Sequence, residues 1–246
     1  MRIYLLAIVT AALTLAQNGK HEHEWAWEGE AGPLHWADLK PEYATCKTGK
    51  EQSPIDIRNP QQAALPAIHF DYTASPLKII DNSHTIQVNY APGSFITVGD
   101  HRYQLLQFHF HRPSEERIQG KSYQMVAHLV HADSEGKLAV VAVLLEKGTA
   151  NSTIQEIWDK LPKTQGKEET VPGVEINASG LLPKNTTYYT YPGSLTTPPC
   201  TEGVTWLILK TPVDLSSEQI DRFAKIYPHN ARPIQPLGDR VVKASK

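Results

Sequence analysis

The stretch QFHFHRPSEERIQGKSYQMVAHLVH, residues 107–131, carries four of the 11 histidines in the chain. Two of them, His109 and His111, flank one phenylalanine. In a strand, side chains alternate between faces, so Gln107, His109 and His111 share one face and Phe108 and Phe110 the other. Imidazoles at i and i+2 stand roughly 6.5–7 Å apart along a strand and can lean onto one metal ion. YQMVAHLVH offers a third nitrogen. The intervening RPSEERIQGK is polar and turn-rich, so the two strands can run antiparallel and adjacent. His128 shares a face with Val126 and Val130, whereas His131 points the other way, left for a structural hydrogen bond. The trio His109, His111 and His128 supplies three neutral nitrogens and leaves a fourth position open, the pattern of a catalytic rather than a structural zinc site. The competing reading is core histidines tied to backbone groups, and for any one of them alone it is the better one.

These side chains need strands to position them. PLKIIDNSHTIQVNYAP, SFITVGDHRYQLLQFHFH, YQMVAHLVHAD, KLAVVAVLLEKG and VTWLILKTPVDL are short apolar or alternating runs bounded by Gly, Pro, Asn and Asp, as strands are. Two helices are expected. TIQEIWDKLP ends at Pro162; SSEQIDRFAKIY opens on a serine cap with a glutamate in the first turn and stops near Pro228. Many strands and few helices predict a mainly β fold with a few short helices, built as one domain on a large, mostly antiparallel sheet. From His35 onward no linker, repeat or low-complexity stretch divides the chain, and its 18 prolines are spread through turns.

Composition narrows the function. Of the 246 residues, 40% are hydrophobic and 20% charged, with a formal charge of -2. That is ordinary for a globular protein and offers no basic field for nucleic acid. MRIYLLAIVTAALTLA has one cation followed by an apolar run from Ile3 to Leu15. The run is too short for the roughly 20 residues that a spanning helix needs, and it reads as an export signal over residues 1–16 with cleavage after Ala16, leaving residues 17–246 as the mature domain. Export and an even cysteine count suggest one disulfide between Cys46 and Cys200. Two buried free thiols are the alternative.

Five blocks in order, EQSPIDI (51–57), QFHFH (107–111), AHLVH (127–131), YPGSLTTPPC (191–200) and ARPIQPL (231–237), resemble the α-class carbonic anhydrases over nearly the whole mature chain. The short loop after His111 and the two cysteines resemble the bacterial exported branch. The resemblance implies zinc-dependent reversible hydration of carbon dioxide to bicarbonate by attack of zinc-bound hydroxide, in the periplasm or secreted. It makes His109, His111 and His128 the Zn2+ ligands. Thr196 would accept a hydrogen bond from the hydroxide and Glu115 would accept the threonine proton. His84 would shuttle the released proton. Val130, Val140, Leu195 and Trp206 would form the apolar wall for carbon dioxide, while Asn82, Gln87, Gln107 and Thr197 would form the hydrophilic side that orders solvent. The family also implies cis bonds at Ser53–Pro54 and Pro198–Pro199. The expected partner is the small-molecule substrate, with a homodimer left open and neither nucleic acid nor a membrane span expected.

Two positions depart from the family. In WAWEG, Trp27 stands where a tyrosine is usual, which predicts an altered solvent network near the shuttle. Two residues before the third ligand the family commonly has glutamate, and this chain has Val126. Zinc-bound histidines usually donate their second nitrogen's proton to a carboxylate or carbonyl. Valine cannot accept it, so another group takes over or His128 is poorly satisfied and zinc is held weakly; weak retention is the expectation. Other functions are also weighed. A binding or adhesion module on the same fold is disfavoured by the intact trio, and a zinc peptidase by the lack of H-E-x-x-H.

Overall fold

The computed structural model describes residues 25–246. The expected export segment, residues 1–16, lies outside the described residues. A sheet of 13 strands runs through the molecule. Its centre is formed, in spatial order, by Ile86–Asn89, His101–His111, Met125–Ala132, Leu138–Lys147, Glu202–Leu209 and Tyr188–Ser194. Most neighbours are antiparallel, as expected. Leu138–Lys147 breaks the rule by pairing in parallel with both Glu202–Leu209 and Val213–Leu215. Its sequence, LAVVAVLLEK, is a continuous apolar run because both of its faces are covered.

Alternation divides the central side chains between two cores. Phe108, Phe110, Ala127, Leu129, Val141, Val143 and Leu207 face one side, where the helices pack. Val126, Val130, Val140, Ala142, Val204, Trp206 and Ile208 face the other, the side of the histidine trio. A register shift between Leu105 and Gln107 moves the long strand's parity, so that Leu105 and Phe108 lie in the same core.

Both expected helices are present. Ser152–Trp158 is capped by Asn151, whose side chain accepts from Ile154 N at 3.0 Å. Ser217–Ala224 has the expected serine cap, Ser216, completed by Gln219 in a reciprocal capping box. Trp158 stacks on Phe223 and donates Nε1–H to Gln219 O at 3.0 Å, which locks the helices together on the sheet. Two further four-residue helices, Trp36–Leu39 and Thr45–Thr48, were not foreseen; they are too short to show a helical period. Among the described residues no helix is long and apolar enough to cross a membrane.

Cys46 and Cys200 are joined, with Cα atoms 5.0 Å apart. Ser53–Pro54 and Pro198–Pro199 are cis, and so is Arg112–Pro113, which the sequence reading had not singled out.

Candidate active site

The site is built on the ladder between His101–His111 and Met125–Ala132. His109 pairs directly with His128, and His111 with Val126. One nitrogen from each of His109, His111 and His128 comes together, all within 4.8 Å of one another. The remaining nitrogen of each ring is held. His109 Nδ1 meets Gln107 Oε1 at 2.8 Å, His111 Nδ1 meets Asn230 O at 2.7 Å, and His128 Nε2 meets Glu116 Oε1 at 3.0 Å. Each acceptor fixes the proton on the outer nitrogen, leaving Nε2, Nε2 and Nδ1 to present lone pairs inward. His111 Nε2 is buried without a hydrogen-bond partner. An orphaned lone pair beside two others suits a cation.

Burial holds His109 down to about 3 and His111 well below the usual histidine range, with His128 adding to both shifts, so both are neutral. Burial also opposes a charge on His128, but Glu116, by charge and hydrogen bond, and then Glu115 outweigh it and raise its pKa. Glu115 reaches the trio from the loop that follows His111. Its Oε2 lies 3.6 Å from His111 Nε2 and 3.8 Å from His128 Nδ1, while Oε1 accepts from Arg232 N at 2.7 Å. Burial pushes Glu115 up to about 7, against the opposing pull of His128, Arg232 N and the Thr196 side chain.

Above the trio opens a cavity of about 180 Å³. Val130, Val140, Leu195 and Trp206 line it with apolar surface; Asn82, Gln87, Gln107, Thr196 and Thr197 add polar groups, and His84 borders it with Trp25 and Trp27. The polar groups form a chain, with Asn82 Nδ2 donating to Gln87 Oε1 at 3.2 Å and Gln87 Nε2 to Asn89 Oδ1 at 2.7 Å. His84 stacks on Trp25 with ring centroids 3.6 Å apart and planes 7° from parallel. The residues expected to bind metal, substrate and solvent, with Thr196 and His84, therefore line one cavity, while Glu115 is buried beside His111 and His128.

The profile of the eukaryotic-type carbonic anhydrase family matches residues 31–246. The chain belongs to that family. The carbonic anhydrase of Nostoc sp. is 43% identical over 223 residues, 89% of this chain and 84% of the relative. That of Neisseria gonorrhoeae is 43% identical over 240 residues, 97% and 94% of the two chains. A hyperthermostable carbonic anhydrase from a hydrothermal vent chimney superposes with a TM-score of 0.87 at 48% identity, covering 90% of this chain and all of its own. The protein is accordingly an enzyme of the carbonic anhydrase type, which acts on carbon dioxide.

Within this carbonic anhydrase, the reading of Val126 needs correction. The missing acceptor on its own strand does not leave His128 unsatisfied, because Glu116 supplies a carboxylate from the neighbouring loop. The physical reason for expecting weak zinc retention is thereby removed. Trp27 replaces the tyrosine hydroxyl with an indole N–H that donates to His84 O at 3.0 Å. Gln107, assigned to the solvent-ordering side, also orients His109.

Three residues escaped the sequence reading. Glu116 looked like the second charge of a polar loop. Asn230 accepts from His111 through its carbonyl, accepts from Arg112 N at 2.7 Å, and donates to His84 O and Phe110 O, both at 3.0 Å. Arg232 joins Glu115 to the cysteine segment, its guanidinium donating to Gln52 Oε1, Ser53 O and Cys46 O. Asn230 immediately precedes the ARPIQPL block and Arg232 lies inside it, the one local signal for either residue.

Proposed function

We propose that this enzyme catalyses the zinc-dependent reversible hydration of carbon dioxide to bicarbonate and a proton, with His84 relaying the proton to solvent. The supporting observation is the three-imidazole cluster whose outer nitrogens are each held by an acceptor, at the floor of a cavity with one apolar side. His109 and His111 through Nε2, and His128 through Nδ1, would hold the ion. Zinc there supplies a Lewis-acid charge that makes water ionise near neutrality, an effect for which carbonic anhydrases are themselves the reference case.

The chain's own residues do the rest. Carbon dioxide has neither charge nor net dipole to grip, so Val130, Val140, Leu195 and Trp206 receive it by excluding water. Thr196 donates its hydroxyl hydrogen bond to Glu115, which leaves the threonine oxygen to accept from, and so orient, the attacking oxygen. A cation among the histidines favours the carboxylate form of Glu115 that this requires. Asn82, Gln87, Gln107 and Thr197 order solvent between the floor and His84. Imidazole is suited to take and release a proton near neutral pH. Periplasmic or secreted localisation is supported by the disulfide and by the apolar leader.

The test is zinc content measured beside carbon dioxide hydration, before and after chelator. One zinc per chain and chelator-sensitive hydration are expected, and His109→Ala should lose both together. His84→Ala should be slow in weak buffer and recover in concentrated imidazole, because an exogenous base can replace a relay. Bound zinc without hydration would favour a binding module on this fold; equal loss of the His84→Ala rate in both buffers would remove the relay role.

A further inference from the structure

A buried carboxylate is costly unless it is paired, yet this loop buries two in succession. Glu115 is 2% exposed and Glu116 fully buried. They bracket one imidazole. Glu115 Oε2 lies 3.8 Å from His128 Nδ1, the inward nitrogen, and Glu116 Oε1 lies 3.0 Å from His128 Nε2, the outward one. The other oxygen of Glu116 has no hydrogen-bond partner. Burying a whole carboxylate for one hydrogen bond is poorly explained as a contribution to stability, since such pairs often fail to recover their desolvation cost. Orienting the ring explains it better.

The loop is built to hold that carboxylate still. Ser114 Oγ donates to Glu116 O at 2.8 Å. On the other side Arg117 pairs in parallel with Asp56, and Arg117 N donates to Ile55 O at 3.3 Å. Val126, where the α-class resemblance would place a glutamate, is fully buried in the apolar cluster beside Ile55, Ile57 and Tyr191. A glutamate there and Glu116 would bring two buried carboxylates toward one imidazole.

We propose that Glu116 is the positioning residue that fixes the proton and orientation of His128 for metal binding, and that this chain has moved the duty from position 126 on the strand to the preceding loop. The inference rests on the zinc reading above. It predicts a pairwise dependence: glutamate is needed at 116 or at 126.

The experiment follows zinc release from the loaded full-length protein into excess chromophoric chelator. Glu116→Gln should release zinc about 10–100-fold faster than wild type, a range drawn partly from carbonic anhydrases themselves. Glu116→Gln combined with Val126→Glu should recover most of that factor, which a merely structural role for Glu116 would not produce. Release from Glu116→Gln at the wild-type rate, or a folded double variant as leaky as the single one, overturns the inference. Should either variant fail to fold, proton NMR of the zinc-loaded wild type decides: a protected Nε2 proton on His128 is expected, and its absence overturns the inference. A wild type that binds no zinc defeats the functional reading itself; a wild type that binds zinc no better than Glu116→Gln defeats this inference alone.

Discussion

His131 lies three residues beyond His128, on the opposite face of the same strand, and that parity gives it a different task. Its Nδ1 donates to Ala139 O at 3.3 Å, so its Nε2 accepts from the Tyr72 hydroxyl at 2.8 Å. Burial lowers its pKa from 6.5 to about 3. The unfolded chain therefore binds a proton here between those two values while the native chain does not. Stability from this residue is complete above pH 6.5 and is lost progressively as pH falls toward about 3. His131→Phe should flatten the fall in unfolding free energy over that window by up to about 1.4 kcal/mol per pH unit. Urea titrations of both proteins across the window check this; parallel curves would mean that His131 is not held neutral.

Between elements, the segment after the last helix is as important to the site as the strands. Asn230 is fully buried, and its side chain alone serves Arg112 N, His84 O and Phe110 O. It ties the end of the histidine strand to the turn that carries His84. Asn230→Ala orphans Arg112 N, at about 1–3 kcal/mol if water cannot reach it, and removes one of two donors from His84 O and Phe110 O, which keep Trp27 Nε1 and Thr85 Oγ1. A lower urea midpoint with an unchanged slope is expected, accompanied by weaker zinc retention, because the backbone carbonyl that holds His111 belongs to the same residue. A midpoint equal to that of wild type would show that water fully replaces the amide.

For the whole molecule, the Cys46–Cys200 bond spans 154 positions of sequence. The chain-entropy model assigns about 5 kcal/mol to closing a loop of that length, an upper figure because the unfolded chain keeps some structure. The bond also lies beside the Thr196 loop, which is closed by Cys200 N donating to Thr197 O at 2.9 Å and Leu195 N to Thr201 O at 2.9 Å. Gln52 Nε2 donates to Cys200 O at 3.0 Å, adding a second tie. The variant Cys46→Ala with Cys200→Ala should unfold at markedly lower denaturant and lose hydration rate before it loses bound zinc. A free-thiol assay on the denatured, unreduced wild type should find no reactive thiol.

Local rules made much of this legible. Strand alternation and the H-x-H spacing put His109, His111 and His128 on one face and His131 on the other, because a period of two leaves no other arrangement along a strand. Block order identified the family, and with it Glu115, Thr196, His84 and the cavity walls. Neither helix end nor the parallel pairing of Leu138–Lys147 could be read with the same certainty: its apolar run states burial on both faces, not which strand lies beside it. The outer partners of the histidines were likewise decided in three dimensions. Gln107 is two residues from His109, but Glu116 and Asn230 reach His128 and His111 from loops 12 and 119 positions away. Hydrogen bonds of that kind depend on where folding brings distant backbone, and residue type carries no record of it. The valine at 126 was therefore visible as a loss in the sequence, and only the tertiary structure showed the carboxylate that replaces it.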